Sequence, residues 1–100
     1  MKDYSNILTQ KQKDFIYTLH HKEGTLYEEA YYRELMLTNK KLRKVYFSVL
    51  KESCKIFKIP YKKGETIHEI ECEFDYDEFD ELMLHFMASL NEKLKVGLYD

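Results

Sequence analysis

Two neighbouring stretches of the chain carry opposite charge, and they hold most of the side chains that could do chemistry. Residues 40–63 contain nine basic side chains and one acid, Glu52, which gives a net charge of +8. Residues 65–81 contain nine acids and no base, a net charge of −9, although the whole chain carries only −2. Such segregation describes surfaces and partners, not the fold. It favours a binding function over catalysis.

The basic stretch is one candidate binding surface, for nucleic acid. Its lysines recur at helical spacing, and Phe47 lies at their flank. Basic side chains can neutralise phosphates while an aromatic ring stacks on a base. Nucleic-acid-binding domains usually have a pI above about 9, whereas this chain has a pI near 6.1, so a solvated face partly paired with the acids is the alternative. The candidate residues are Lys41, Arg43, Lys44, Lys51, Lys55 and Lys58.

The acidic stretch is the second candidate surface, for a protein partner. Glu69, Glu71, Glu73 and Asp75 alternate with apolar residues, which predicts a half-buried strand with an acidic outer face. Such a row could bind a basic groove on another protein. The alternative is that the charges only keep a strand edge from pairing with other chains.

A tyrosine cluster is the third candidate. The chain has nine tyrosines, and Tyr27, Tyr31 and Tyr32 fall within six residues of one another. Tyrosine is a frequent anchor of protein interfaces. Tyrosines also line the rim of a core, where the ring packs and the hydroxyl stays in water.

Metal and catalytic motifs are absent from the sequence. His68 and Cys72 are four residues apart, a spacing that on a helix would place both on one metal. On the predicted strand it separates them by about 13 Å, too far for shared coordination. There is no CxxC, HExxH, P-loop, GxGxxG or GxSxG pattern. The sequence therefore predicts a protein that is not an enzyme and that needs no metal or cofactor.

Capping signals and hydrophobic spacing predict the helices. Thr9 and Thr25 each begin a capping box, and Gly24 between them predicts a tight turn, hence an α-hairpin. Asn39 can cap a third, basic helix, and Asp77 can cap a last helix that ends near Gly97. The predicted buried face of the third helix is Leu42, Val45, Tyr46, Val49, Leu50, Ser53, Ile56 and Phe57. That of the last helix is Phe79, Leu82, Met83, Phe86, Leu90 and Leu94.

The predicted fold is mainly α with a small β element, in one domain over residues 1–100. It has about four amphipathic helices and one acidic strand or short hairpin around residues 55–76, with Lys55–Tyr61 as the partner of the strand. Whether residues 55–61 are helix or strand is left open. A strand there would shorten the third helix and place Pro60 at the edge of a sheet.

The predicted function is a non-enzymatic protein-interaction domain. It would be a small cytoplasmic regulator or inhibitor, of a size that fits a phage or mobile-element protein, acting through its acidic and tyrosine-rich surface. One alternative is a nucleic-acid-binding module that uses the basic helix at 40–58. A second is a small assembly factor that forms homo-oligomers through its oppositely charged faces. A secretory signal and a membrane span are not expected.

Removal of metal tests the absence of a metal site. Because structural zinc contributes folding energy directly, dialysis against a chelator is expected to leave the melting temperature unchanged. Elemental analysis of the untagged protein checks the same point, since a stoichiometric metal would contradict the prediction.

Overall fold

The computed structural model describes residues 4–71 and 76–97, and within these ranges the chain forms helices and no strand. The side chains of Glu71 and Tyr76 are outside this description. The helices are α1 (Gln10–Lys22), α2 (Thr25–Met36), α3 (Lys40–Ile56), α4 (Ile67–Glu71) and α5 (Tyr76–Lys93). The mainly helical prediction is confirmed.

The predicted α-hairpin is formed by α1 and α2. Thr9 caps α1 as a capping box: its hydroxyl accepts from Gln12 N at 3.1 Å, and Gln12 accepts from Thr9 N at 2.9 Å. Gly24 makes the turn with φ of 100°, in the region where a Cβ is strained. The second capping box, at Thr25, is not formed, because Gly24 is the N-cap and the Glu28 side chain turns into the core.

The third helix, α3, is the centre of the core. Asn39 caps it, accepting from Leu42 N at 3.0 Å. The predicted inward face is buried from Leu42 to Ser53, and the Tyr46 ring meets the Phe86 ring of α5 edge-on at 4.9 Å. Every residue of the buried stripe predicted for the last helix is also buried.

The end of α3 corrects two predictions. Lys58 has φ of 58°, while Ile59 N donates to Cys54 O and Lys58 N donates to Lys55 O, in a turn of the Schellman type. This turn buries Ile59 and leaves Ile56, predicted to be core, 58% exposed. Of the two possibilities left open for residues 55–61, the strand is therefore wrong, because the first two residues are helical and the next ones form the turn.

The acidic segment is also different from the prediction where it can be described. Residues Ile67–Glu71 form a helix, with Ile67 and Ile70 buried three positions apart. This spacing fits one face of a helical turn, and Thr66 supports the turn by donating to Glu69. The rest of the predicted strand, residues 72–75, lies outside the described residues.

A similar left-handed turn ends α5, two residues before the predicted stop at Gly97. Lys95 has φ of 62°, and Val96 N donates to Asn91 O at 2.9 Å. Val96 is thereby buried. Across residues 4–71 and 76–97, the helices are too short or too polar to cross a membrane.

A pair of aspartate substitutions on α3 tests the buried face. Val49→Asp is expected to lower the free energy of unfolding by about 3 kcal/mol or more, because Val49 is 3% exposed and the new charge would have no partner. Ile56→Asp is the control, with an expected cost of about 1 kcal/mol or less because its side chain faces water. Urea denaturation measures both. Equal costs for the two variants would contradict the assigned face.

Candidate functional site

A buried polar network joins three helices at Glu28. The Glu28 side chain is fully enclosed, and one of its carboxyl oxygens lies 2.6 Å from His20 Nδ1 of α1. Asn91 of α5 donates its Nδ2 to the other oxygen, and the Tyr32 hydroxyl donates to Asn91 Oδ1. The network therefore fixes α1 and α5 against α2.

The next residue, Glu29, holds a second network, which is directed at α3. Its oxygens accept from Arg33 Nε and from the Tyr46 hydroxyl, each at 2.9 Å. The Tyr46 oxygen in turn accepts from Ile67 N at 3.2 Å. A single carboxylate thus ties α2 to α3 and, through one hydroxyl, to the start of α4.

Burial shifts both carboxyl groups towards the neutral form. Burial raises the pKa of Glu28 above its ordinary value of 4.5, although the hydrogen bonds with Asn91 and His20 act to lower it. It raises the pKa of Glu29 in the same way, although the Tyr46 hydroxyl and the Arg33 charge act to lower it. Shifted carboxyls occur at active sites, but these two lie in the core, 0% and 2% exposed. The arrangement is suited to fixing helix positions.

Sequence reasoning missed this network. Glu28 and Glu29 look like ordinary acids of a first helical turn, where they favour the helix dipole. The sequence does contain one signal for the burial of Glu28. It shares a helical face with two large apolar residues, at four-residue steps: Glu28, Tyr32 and Met36.

The basic stretch contributes to an open cleft of about 630 Å³ between the N-terminal segment, α3 and the end of α5. Its polar lining is Tyr4, Asn6, Lys41, Lys44, Ser48 and Lys93. Ile7 and Val45 complete the lining. Lys93 Nζ lies 5.6 Å from the centroid of the Tyr4 ring.

The structure separates the six predicted basic residues into four groups. Lys41 and Lys44 line the cleft, and Lys51 and Lys55 lie exposed farther along the same helix. Arg43 donates to Met36 O at 2.8 Å and so supports the link between α2 and α3. Lys58 lies beyond the helix, in the left-handed turn. In the described part of the chain, none of the six forms an ion pair.

The tyrosine cluster is divided between the core and the surface. Tyr32 is fully buried, so the prediction of one interface that contains all three tyrosines is wrong. Its hydroxyl is needed by Asn91. Tyr27 is 60% exposed, and Tyr31 is half-buried with its ring 4.7 Å from the Phe15 ring of α1. We call Phe15, Tyr27 and Tyr31 the aromatic surface.

A shallow groove accompanies the aromatic surface. It measures about 450 Å³ and runs between α1 and α2, with Phe15 and Tyr31 in its lining. Lys11 and Asp14 contribute one charge of each sign. The two charges of the groove therefore balance, and two aromatic rings lie beside them.

The acidic row is only partly described. Glu69 is exposed and accepts hydrogen bonds from Thr66, while Glu71 is helical and Glu73 and Asp75 lie outside the described residues. The strand spacing predicted for Glu69 and Glu71 is wrong because both are in α4. Further exposed acids begin α5, namely Asp77, Glu78, Asp80 and Glu81.

Comparison with known proteins gives no assignment. The chain matches no family model, no curated protein and no solved structure. Within the residues that the structure describes, no three His, Cys, Asp or Glu side chains converge as a metal site would require. Functional inference thus rests on the clefts and exposed surfaces.

The two buried glutamates are expected to respond differently to replacement by glutamine. In Glu28→Gln, the new amide can keep both hydrogen bonds by donating to His20 Nδ1 and accepting from Asn91. In Glu29→Gln, one acceptor oxygen remains for two donors, so either Arg33 or the Tyr46 hydroxyl loses its partner. We expect Glu29→Gln to cost about 1–3 kcal/mol and Glu28→Gln clearly less, by urea denaturation at pH 7. Equal costs would contradict the different roles of the two carboxyls.

The pH dependence of unfolding gives a second measure of Glu28. A carboxyl whose folded pKa is raised contributes most to stability below its unfolded pKa, here about 4.5, and that contribution is lost as pH rises through the folded pKa. The stability of Glu28→Gln relative to wild type is therefore expected to improve as the pH rises from about 4.5 through the raised folded pKa of Glu28. Unfolding free energies that run parallel over this range would contradict the raised pKa.

Proposed function

We propose that the protein is a non-enzymatic interaction domain that binds a protein partner through the aromatic surface. The single observation that carries the proposal is the exposure of large apolar side chains on the α1–α2 hairpin. Phe15 and Tyr27 are 48% and 60% exposed, and Tyr17 and Leu26 are exposed to similar extents. These are four of the seven exposed large apolar residues among those described.

The composition of the surface supports a protein as the partner. Tyrosine and phenylalanine are enriched at the centres of protein interfaces, where large rings bury area at low cost in conformational entropy. The Phe15–Tyr31 ring contact holds two of these side chains beside a groove. The balanced charges of Lys11 and Asp14 favour an apolar anchor from the partner over a charged one.

The exposed acids at the start of α5 form an alternative surface for a protein partner, separate from the aromatic surface. Leu84 of α5 is 61% exposed, and acids precede it on the same helix. Asp80 and Glu81 lie one turn before it, and Asp77 lies two turns before it. A basic partner surface would be attracted there, which is a feature expected of a regulator or inhibitor that competes with another acidic ligand. A second copy of the chain is the alternative partner, through the basic face of α3.

Capture from cells of the native host tests the aromatic surface. Wild type is compared with Phe15→Ser/Tyr27→Ser, and Leu84→Ser serves as a control that removes an exposed apolar side chain elsewhere. We expect the double variant to lose the partner almost completely, by about tenfold or more, since truncated anchors at an interface centre typically cost about 2 kcal/mol or more. The wild-type protein should retain similar amounts of the partner at about 50 and 300 mM salt, because salt does not screen apolar contacts.

Three outcomes would contradict the proposal. The double variant could still capture every partner. The wild-type protein could lose the partner in high salt, or Leu84→Ser could be the variant that no longer captures it. Light scattering of the purified protein at about 50 and 300 mM salt distinguishes self-association, because a dimer that dissociates in high salt would make a second copy the partner. Far-UV circular dichroism of each variant verifies that it remains folded.

A further inference from the structure

We propose that the cleft between the N-terminal segment and α3 binds single-stranded nucleic acid, whose backbone continues along the exposed lysines of α3. This site is separate from the aromatic surface on the α1–α2 hairpin and does not depend on it. The proposal is carried by three features of the cleft: its charge, its mixture of lining groups and the lysines that continue from it.

The cleft is positively charged although the chain is acidic. Lys41, Lys44 and Lys93 contribute three ammonium groups, and no carboxylate lines it among the residues that the structure describes. The acids at the start of α5 are distant, since Asp80 and Lys93 are thirteen residues apart, about 20 Å along a helix. That separation exceeds the screening length of about 8 Å at physiological salt. The cleft therefore attracts anions despite the net charge of −2.

The other lining groups suit a nucleotide better than a simple anion. The Tyr4 ring and the apolar Ile7 and Val45 side chains offer a surface for a base, while Ser48 and Asn6 offer hydrogen bonds. A volume of about 630 Å³ lies within the range of sites that enclose small organic ligands. Phosphate alone would use only the lysines.

The wall that carries Tyr4 is fixed before any ligand binds. Lys13 Nζ donates to Ser5 O at 2.8 Å, and Asn39 Nδ2 donates to Ile7 O at 3.1 Å. Leu8, which follows, is buried. The N-terminal segment is thus tied to the start of α1 and to the cap of α3, so little ordering is needed on binding.

The lysines of α3 continue the cleft as a stripe. Lys41, Lys44, Lys51 and Lys55 fall within about 80° of arc, and their Cα atoms span about 21 Å of helix. All four are exposed, and none is in an ion pair within the described part of the structure. Glu52 lies at the margin of the stripe, which limits its charge. A stripe of this length matches a backbone of about four nucleotides, near the lower limit for single-strand sites.

A single strand fits this arrangement better than a duplex. The faces of paired bases are stacked and cannot reach the Tyr4 ring, whereas an unpaired base can enter the cleft while its phosphates follow the lysines. The site carries no set of groups that would read one base sequence. We therefore expect micromolar affinity with little sequence preference.

Fluorescence anisotropy with a labelled single-stranded oligonucleotide of about 12 nucleotides tests the proposal. Between about 50 and 200 mM salt, the logarithm of the binding constant is expected to fall with a slope near −3, because about four phosphate contacts each contribute about −0.7. Lys44→Gln and Lys93→Gln should each weaken binding and reduce the slope by about 0.7. Tyr4→Leu should weaken binding about fivefold or more and leave the slope unchanged, since stacking involves no counterion.

The matched control is Lys22→Gln, which removes an exposed lysine at the end of α1 and should leave binding unchanged. The site is disproved if Lys44→Gln binds as tightly as Lys22→Gln, or if Tyr4→Leu has no effect. Equal binding of a duplex or of inorganic polyphosphate would show a non-selective cationic surface and overturn the single-strand assignment. The Phe15→Ser/Tyr27→Ser variant should bind the oligonucleotide normally, which separates failure of this site from failure of the protein-binding proposal.

Discussion

The burial of two adjacent carboxyl groups on α2 is the constraint on which the rest of the structure depends. A buried carboxyl without partners is strongly unfavourable, so each oxygen of Glu28 and Glu29 needs a hydrogen bond from elsewhere in the fold. Those partners come from α1, α3 and α5 as well as from α2 itself, and one of them also orders the start of α4. Helix packing in this small domain is therefore specified by polar contacts as well as by apolar burial.

The same constraint decides which side chains are available for binding. Tyr32 and Tyr46 are used inside the protein, because their hydroxyls satisfy the network. Arg43 is engaged with the α2 backbone. The groups left at the surface include the aromatic side chains of the α1–α2 hairpin and the lysines of α3. Two separate surfaces of different chemistry follow, one apolar and nearly neutral, the other cationic.

Prediction from the sequence succeeded where local signals and apolar spacing agreed. The caps at Thr9 and Asn39 and the buried stripes of α3 and α5 are read directly from residue type and period. It failed in the described part of the acidic segment, up to Glu71, because alternating Glu and apolar residues suit a strand, while Ile67 and Ile70 equally suit a helical turn. It also failed at Ile56, because nothing in the sequence indicates that Lys58 adopts a left-handed conformation and ends the helix there.

The sequence by itself determined the helical character of the chain and the separation of its charges, because both depend on residues near one another along the chain. Tertiary structure alone decided that Glu28 and Glu29 are buried, since their partners His20, Tyr46 and Asn91 lie on three other helices. It also decided the cleft, which joins Tyr4, Lys44 and Lys93 from distant parts of the chain. Spacing along a sequence predicts faces of helices, but only packing determines which faces meet.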